Sequence, residues 1–251
     1  MKPLEGKSAL VTGAAGGIGA RVAALLEAAG ARTTGVDRAP APACHDSRTV
    51  DLSDAAQLAS LCADLAASPP DILVNIAGVL PFGLLENQNA EALALCYQVN
   101  LVAPAQLMRA VAGPMRQRGR GQIVNIGSGL GSVPYPWFAA YSSSKAGLAA
   151  LSQALRRELQ GSGVVVTHIC PRAAKTPLNN AQVNRFLEVM KMQADDPEWV
   201  AQRIVRAIVQ KRTSLTIGVM EGLFAKVNAL APRLIDSGLA PQVRKARAEF
   251  C

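Results

Sequence analysis

The sequence contains few aromatic, charged and histidine residues for its length. Aromatic residues make up 4% of the 251 positions and charged residues 18%, and the two histidines are His45 and His168. The five cysteines are isolated, with no Cys-x-x-Cys pair among them. A disulfide framework and a zinc cluster both need closely spaced ligands. The sequence therefore predicts neither, and no metal site.

The chain also lacks an apolar signal segment near its start and any apolar run approaching the ~18 residues of a membrane-spanning helix. We therefore expect a cytoplasmic protein. The net charge of +8 is scattered, and the densest basic clusters, 116–120 and 244–247, contain no interleaved aromatic residues. Since nucleic-acid sites combine basic patches with a recognisable motif, the pattern predicts a solvated basic surface and no nucleic-acid partner.

Half of the residues are hydrophobic, and they fall into short strand-like runs that alternate with helical stretches. Such apolar strands indicate a parallel sheet covered on both faces. Strands are predicted at 8–12, 32–37, 49–52, 72–75, 122–126, 164–169 and 213–218, and helices at 17–29, 54–67, 90–116 and 141–160. We predict an α/β fold, a Rossmann-like doubly wound parallel sheet. It forms a single domain over 1–251, with a helical C-terminal substrate-lid or tail region that sets specificity at approximately 172–251.

A glycine-rich turn follows the first predicted strand and opens the first helix. Glycine permits a tight turn and a close backbone approach, and the start of a helix supplies free N–H donors. The spacing Gly-x-x-x-Gly-x-Gly differs from the commoner Gly-x-Gly-x-x-Gly, and a turn needed only for packing is the competing interpretation. We predict a site for a dinucleotide pyrophosphate, with contacts from Gly13, Ala15, Gly17, Ile18 and Gly19.

Asp37 ends the second predicted strand, about 20 residues beyond the glycines, where dinucleotide-binding folds place a carboxylate on the adenosine ribose. A carboxylate there repels the additional phosphate of NADP, whereas the neighbouring Arg38 could attract it. A strand-end cap is the structural alternative for Asp37. We predict NAD as the cofactor, with NADP as the alternative.

Tyr141 and Lys145 are four residues apart at the predicted start of a helix and share one of its faces. A cation one turn away lowers the pKa of a tyrosine from its ordinary ~10, so Tyr141 becomes usable as a general acid or base. Ser128 follows the fifth predicted strand, at the edge where a parallel sheet binds ligands. Taken singly, these residues could also be a surface pair and a turn residue.

Together these residues resemble the short-chain dehydrogenases/reductases over roughly residues 5–180. The resemblance rests on Thr12–Gly19, Asp51-Leu52, Asn75-Ile76-Ala77-Gly78, Asn100, Ser128, Tyr141-x-x-x-Lys145, and Pro171 with Thr176. It implies an NAD(P)-dependent oxidoreductase that transfers a hydride between a nicotinamide cofactor and a hydroxyl/ketone group.

The resemblance also implies a role for each matching residue. Tyr141 is the proton donor or acceptor, Ser128 stabilises the substrate oxygen, Lys145 binds the nicotinamide ribose, and Asn100 holds a water that relays protons from Lys145. The implied cofactor contacts are Asp51 and Leu52 at the adenine, Asn75, Ala77 and Gly78 along the cofactor channel, and Pro171 and Thr176, the last at the carboxamide or pyrophosphate.

Two positions depart from the family pattern. Ile76 replaces a second asparagine, which is a mild change. Arg172 stands where the family usually has a glycine next to the nicotinamide, and arginine lacks the backbone freedom of glycine. Arg172 could pair with an anionic substrate or a cofactor phosphate, or it could turn outward.

The C-terminal stretch 223–239 has apolar residues at helix-like spacing around Pro232, in place of the family's Val-Asp-Gly-Gly tail. We expect a core, lid or dimer face here, with membrane-surface contact as the lesser alternative. A homo-oligomer is expected, a dimer rather than a tetramer.

The predicted substrate cleft is apolar, which favours a hydrophobic alcohol or ketone. Its candidates are Leu80, Phe82, Leu84, Leu130, Trp137 and Phe138. The alternative substrate is a 3-oxoacyl thioester on an acyl carrier. Remote alternatives are a non-catalytic nucleotide-sensing protein and a lipid-surface binding protein.

Overall fold

The computed structural model describes residues 2–250, and within them parallel strands form one seven-stranded sheet. The strands are β1 (Ser8–Thr12), β2 (Arg32–Asp37), β3 (Asp46–Thr49), β4 (Ile72–Asn75), β5 (Gly121–Ile126), β6 (Val164–Cys170) and β7 (Ser214–Thr216). Their order across the sheet is β3-β2-β1-β4-β5-β6-β7. The direction of strand addition reverses between β1 and β4, which is where doubly wound sheets bind ligands.

Helices cross over between the strands. They are α1 (Gly17–Ala28), α2 (Ala55–Ala67), α3 (Ala90–Tyr97), α4 (Ala103–Gln117), α5 (Ala139–Glu158), α6 (Ala181–Val189), α7 (Pro197–Val209), α8 (Val219–Leu230) and α9 (Pro232–Phe250). Asp54 and Asp196 cap α2 and α7 by accepting hydrogen bonds from backbone N–H groups of the first turn. Among residues 2–250, no helix combines the length and apolarity needed to cross a membrane.

The two faces of the sheet bury different residues of the same strand. Because neighbouring side chains point to opposite faces, Leu10 packs with α2, α4 and α5, whereas Val11 packs with α1 and α7. Leu73 and Val74 in β4 divide in the same way, and both are fully buried. Burial of each such side chain contributes roughly 1.5–3 kcal/mol to the free energy of unfolding. The predicted doubly wound parallel sheet is confirmed.

The third strand begins earlier than predicted. β3 pairs with β2 over Asp46–Thr49 rather than 49–52. It is an edge strand of polar residues, so no apolar run marks it. The apolar residues that suggested a strand, Val50 and Leu52, follow it and pack into the core beside α2.

The helix predicted over 90–116 is interrupted. A π-helical turn, Gln98–Val102, separates α3 from α4. Such turns insert an additional residue and often mark functional positions. Asn100 lies in this turn and is fully buried.

We call α6, α8 and α9 the cover. α9 packs against both other helices, and its last residue, Phe250, places its ring against Phe82, Trp137 and Phe186. α8, by contrast, contains no buried residue. The cover is therefore anchored firmly at the end of α9 and loosely along α8.

Candidate active site

A cavity of about 1100 Å³ lies along the carboxyl ends of the strands. The turns after β1, β2, β4, β5 and β6 form its floor, and the cover forms the opposite wall. We call the part beside the start of α1 the turn end and the part beneath α8 and α9 the cover end. This location is the one expected for ligands of an open α/β sheet.

The turn end is shaped by close backbone contacts at two glycines. Gly13 has a φ of 70°, and a Cβ there would lie 2.8 Å from the backbone of Ala77. A Cβ on Gly19 would lie 1.9 Å from the carbonyl oxygen of Gly13. Gly16 precedes α1 and offers no side-chain cap. The first N–H groups of α1 thus remain available to an anion, as at a pyrophosphate site.

Asp37 lies at the turn end and orders the glycine-rich turn. Its carboxylate accepts hydrogen bonds from the backbone N–H of Ala15, at 3.1 Å, and of Ala39, at 3.3 Å. Since a carboxylate has about four acceptor positions, it can also accept from ribose hydroxyls. Arg38 lines the same wall.

Asp51 and Leu52 line the wall beyond Asp37. Hydrogen bonds from the Ser53 hydroxyl and backbone N–H lower the pKa of the Asp51 carboxyl, and the nearby positive charge of Arg38 acts in the same direction. Asp51 is therefore ionised, and this end of the cavity contains the negative charge of Asp51 beside the positive charge of Arg38.

Ser128, Tyr141 and Lys145 lie together on the wall between the two ends. Ser128 follows β5, and its Oγ accepts a hydrogen bond from the N–H of Leu130 at 3.1 Å. Tyr141 is in the first turn of α5 and Lys145 one turn later. The Lys145 Nζ donates to the carbonyl of Ile126 at 3.0 Å and lies 5.9 Å from the centre of the Tyr141 ring. The three residues thus meet in one place.

The pKa of Tyr141 is raised, although the spacing to Lys145 alone predicts that it is lowered. Burial raises the pKa of Tyr141 to about 12, and the neighbouring Ser128 hydroxyl acts in the opposite direction. Burial also lowers the pKa of Lys145 to about 8. A buried cation loses hydration just as a buried phenolate does, so desolvation outweighs the attraction that the spacing alone suggested. Tyr141 therefore holds its proton at neutral pH.

Asn100 supports this group from behind the cavity wall and does not line it. Its Oδ1 accepts from the N–H of Val79 at 2.9 Å, and its Nδ2 donates to the carbonyl of Val79 at 2.9 Å and to the Ser144 hydroxyl at 3.1 Å. A Cβ on Gly78 would lie 3.1 Å from Asn100 Oδ1 and 3.6 Å from Lys145 Nζ. Asn100 therefore fixes the turn after β4 against the helix that carries Lys145.

Asn75 requires a correction. It was expected along the cofactor channel, but it is buried and its side chain donates to Asn125 at 2.8 Å, outside the cavity lining. Ile76, Ala77 and Gly78 line the wall instead. Asn75 is the last residue of β4, and its side chain points to the face of the sheet covered by α4 and α5, where its partner Asn125 donates to Ser152.

The loop after β6 completes the floor. Pro171 and Thr176 line the cavity, and Thr176 packs over the start of α1, where a Cβ on Gly17 would lie 2.8 Å from its methyl group. Arg172 also lines the cavity, but its guanidinium binds the carboxylates of Asp195 and Glu221. Arg172 therefore neither turns outward nor leaves its guanidinium free for an anionic substrate or a cofactor phosphate, because it is paired within the protein.

The cover end is largely apolar, and half of its expected residues lie elsewhere. Leu80, Leu130 and Phe138 line the cavity. Phe82, Leu84 and Trp137 do not, because they pack behind Phe138 in a cluster with α6. Other apolar residues take their place. They are Val183, Leu187, Met190, Met192, Met220, Phe224, Leu234, Ile235 and Leu239. Those from Phe224 onward belong to the stretch 223–239 that was expected to form a core, lid or dimer face.

The residues present fit a nicotinamide dinucleotide. The close-packed glycine turn forms a cradle that side chains would fill, and the carboxylate of Asp37 lies directly beside it, 3.1 Å from the backbone nitrogen of Ala15. No cluster of metal ligands occurs among residues 2–250.

Comparisons with known proteins agree with this geometry. A family model described as short chain dehydrogenase matches residues 7–185. The ketoacyl reductase HetN of Nostoc sp. is 29% identical over 94% of this chain and 89% of its own length. The 2,3-dihydro-2,3-dihydroxybenzoate dehydrogenase of Escherichia coli is 34% identical over 69% of this chain and 72% of its own length.

Solved structures show the same architecture. A short-chain dehydrogenase from Sphingobium yanoikuyae in complex with NADPH is 26% identical and superposes with a TM-score of 0.80 over 92% of this chain and 96% of its own. The family match contains the glycine-rich turn, Ser128, Tyr141 and Lys145, and it ends before α8 and α9 begin.

Proposed function

Because the chain belongs to the short-chain dehydrogenase/reductase family, a family of oxidoreductases that use a nicotinamide cofactor on hydroxyl and carbonyl groups, we propose that Ser128, Tyr141 and Lys145 carry its reaction. One observation supports this most directly. The three side chains share the wall of a single cavity whose other end is a glycine cradle for a dinucleotide.

Tyr141 exchanges the proton. Its phenol holds a proton at neutral pH, since burial raises its pKa to about 12, so it is prepared to donate that proton to a carbonyl oxygen. When bound, the nicotinamide cofactor supplies or accepts the hydride. Donation by Tyr141 therefore accompanies reduction of a ketone, and the reverse proton transfer accompanies oxidation of the alcohol.

Ser128 and Lys145 orient the reacting groups. The Ser128 hydroxyl donates to the substrate oxygen next to Tyr141, and Lys145 binds the nicotinamide ribose. Lys145 has a pKa near 8, so it loses and regains a proton close to neutral pH. The Asn100 side chain is committed to Val79 and Ser144, and its part in a water-mediated proton relay stays a prediction.

We propose that the cofactor is NAD. Asp37 supports this, because its carboxylate is held beside the turn where the adenosine ribose of a dinucleotide lies. Arg38 supports the alternative, NADP, since it lines the same end and its guanidinium could bind a phosphate. Gly13, Ala15, Gly17, Ile18, Gly19, Asp51, Leu52, Ala77, Gly78, Pro171 and Thr176 line the cavity and are the further proposed contacts.

The proposed substrate is a hydrophobic alcohol or ketone, selected by residues approximately 172–251. The apolar side chains of the cover end support this. Three of them are methionines, Met190, Met192 and Met220, whose flexible thioethers adapt to irregular shapes. A homodimer in the cytoplasm remains our expectation for the assembly.

A 3-oxoacyl thioester is the second candidate substrate. One relative is named a ketoacyl reductase, and the exposed Lys191 at the cavity edge offers a positive charge to an acidic carrier. A reductase of this kind would accept the acyl thioester much better than the free ketone.

A substrate screen with a matched variant tests the proposal. NADH and NADPH are each offered with acetophenone, menthone, cyclododecanone and acetoacetyl thioesters, and cofactor oxidation is followed by absorbance. Tyr141→Phe differs from the wild type by one hydroxyl. We expect its turnover to fall by about 10²–10⁴-fold with cofactor affinity nearly unchanged. Equal turnover in both proteins would refute the role of Tyr141.

A further inference from the structure

Arg172 joins three segments of the chain through its guanidinium. It follows β6 and binds both carboxylate oxygens of Asp195, with Nε at 2.9 Å from Oδ2 and Nη2 in contact with Oδ1. Its Nη1 lies 3.5 Å from Oε1 of Glu221 in the first turn of α8. We call these three residues the Arg172 triad. A guanidinium is suited to such bidentate pairing.

The triad is partly removed from water. The side chains of Arg172, Asp195 and Glu221 are 28%, 10% and 31% exposed. Ion pairs at fully exposed positions contribute little, but a bidentate arginine–carboxylate pair with limited solvent access is stronger and fixes a geometry. The triad is therefore a structural connection rather than an incidental surface pair.

The backbone around the triad is built to accommodate it. The N–H of Asp195 donates to the carbonyl of Ala173 at 2.8 Å, and the N–H of Lys175 donates to the carbonyl of Asp195 at 3.0 Å. Gly218, before α8, has a φ of 113°, and a Cβ there would lie 2.0 Å from the Glu221 carboxylate and 3.2 Å from the Arg172 side chain. Glycine at this position leaves room for the pair.

The triad connects the two ends of the cavity. The loop that carries Arg172 contributes Pro171 and Thr176 to the floor, and α8 contributes Met220 and Phe224 to the cover end. α8 also packs against α9, but it contains no buried residue and has few attachments to the rest of the chain. A further hydrogen bond joins it to the body, from Asn228 Nδ2 to the Ser132 carbonyl at 3.0 Å.

We propose that Arg172 is a positioning residue that holds α8 over the cover end and thereby sets substrate affinity. The effect on substrate affinity rests on the proposed function, whereas the attachment of α8 through Arg172 does not. Two guanidinium edges of Arg172 are already used by Asp195 and Glu221, which is why we assign it this role and not that of an anion-binding residue for the substrate or cofactor.

The test uses two variants of the triad and one control. Glu221→Gln removes one charge while Arg172 and Asp195 stay paired, so the fold is kept. Arg172→Ala removes the whole triad. The control is Arg185→Ala, which breaks an ion pair of 2.8 Å between Arg185 in α6 and Glu249 in α9. This ion pair joins two helices of the cover, and its loss leaves the loop after β6 untouched.

Hydrogen exchange of the peptide that spans α8 is the first readout, and it needs neither substrate nor cofactor. We expect exchange to rise by about threefold in Glu221→Gln, the scale of one lost ion pair between partly exposed side chains, and by more in Arg172→Ala. Arg185→Ala should leave α8 unchanged. Equal exchange of α8 in all four proteins would overturn the proposal.

Steady-state kinetics with a ketone that the wild type reduces is the second readout. Both triad variants should raise KM by about fivefold or more with kcat nearly constant, the pattern of lost binding that is equal in ground and transition states. A loss of NADH or NADPH affinity with α8 exchange unchanged would instead make Arg172 a cofactor contact and refute the positioning role. If no ketone is reduced, the proposed function fails, while hydrogen exchange still decides the role of the triad.

Discussion

The turn end and the cover end of the cavity are built in opposite ways. At the turn end, backbone meets backbone, and a single added methyl group at Gly19 would lie 1.9 Å from a carbonyl oxygen. At the cover end, side chains of α8 and α9 lie over the cavity with few buried residues, and Leu230 and Leu234 are 87% and 65% exposed. The first end tolerates almost no change of shape, whereas the second can be altered with little effect on the fold.

The difference suits the two tasks that the enzyme performs. A cofactor is the same molecule in every turnover, so a rigid backbone cradle can bind it. Two relatives of this chain are named for different substrates, one as a ketoacyl reductase and one as a 2,3-dihydro-2,3-dihydroxybenzoate dehydrogenase, and the family match of this chain ends at residue 185. The cover lies mostly outside that match, and flexible side chains such as Met220 can be exchanged there without disturbing the sheet.

The same glycine-to-alanine substitution should have very different effects at the two ends. Gly19 is in α1, and Gly19→Ala places a methyl group against the carbonyl oxygen of Gly13. Gly222 is in α8, and Gly222→Ala places a methyl group in open space. We expect Gly19→Ala to lower NADH affinity by at least about 100-fold, because small displacements of a binding turn are costly. Gly222→Ala should leave affinity unchanged and stabilise α8 slightly. Fluorescence titration with NADH measures both.

The outcome is informative in either direction. Similar affinities in the two variants would show that the turn end relaxes around the methyl group, and the contrast between the ends would then be wrong. Urea unfolding of both proteins serves as the control, since a fully unfolded Gly19→Ala protein reports on stability and not on the cradle.

Buried charge provides the second contrast. Lys145 has a pKa of about 8 in the fold and an ordinary value of ~10.4 when unfolded. Between these values the unfolded chain binds more protons, so stability rises with pH. We expect the free energy of unfolding of the wild type, relative to Lys145→Met, to increase by up to about 3 kcal/mol from pH 7 to pH 10. Urea unfolding at both pH values measures it.

A matched control lies in the cover. Lys226 in α8 is exposed, so its ammonium remains hydrated in the folded chain. Lys226→Met makes the same substitution at an exposed position and controls for the loss of one charge and the gain of an apolar side chain. If the difference between wild type and Lys145→Met were independent of pH, Lys145 would keep its proton in the fold and its proposed titration near pH 8 would be incorrect.

Carboxylates at the two ends should also differ in their effect on cofactor choice. Removal of Asp37 eliminates the repulsion of a ribose phosphate, so Asp37→Ala should shift the ratio of NADPH to NADH affinity by at least about 10-fold toward NADPH. Asp236→Ala, an exposed position in α9 that does not line the cavity, should leave the ratio unchanged. Titration with both cofactors gives the ratio, and an unaltered value in Asp37→Ala would contradict the assignment.

The same contrast explains which features the sequence could predict. The sheet follows from the alternation of apolar strands with helices, the glycine-rich turn from its spacing, and the pairing of Tyr141 with Lys145 from their four-residue helical spacing. That Ser128 joins them was expected from its place after β5 and from the family resemblance. The position of β3 is not marked by any apolar run because its residues are polar. The motif that contains Asn75 does not reveal that its side chain bonds to Asn125 on the face covered by α4 and α5, away from the cavity.

Features that depend on distant packing were not predictable in this way. The pKa of Tyr141 is raised by burial, and the extent of burial is set by all the elements around α5. Phe82 and Trp137 pack against Phe186 and Phe250, which lie far along the chain. The partners of Arg172 likewise come from two separate segments.

The smallest effect is expected at the cover end itself. Phe224 and Leu223 are neighbours in α8 and are similarly exposed, at 47% and 51%, but only Phe224 lines the cavity. Phe224→Ala removes part of the apolar wall, roughly 1 kcal/mol of burial, and should raise KM for a hydrophobic ketone about fivefold with NADH affinity unchanged. Leu223→Ala should change neither. Initial rates over a range of ketone concentrations measure KM, and equal KM values in the two variants would mean that substrate does not reach the side chains of α8.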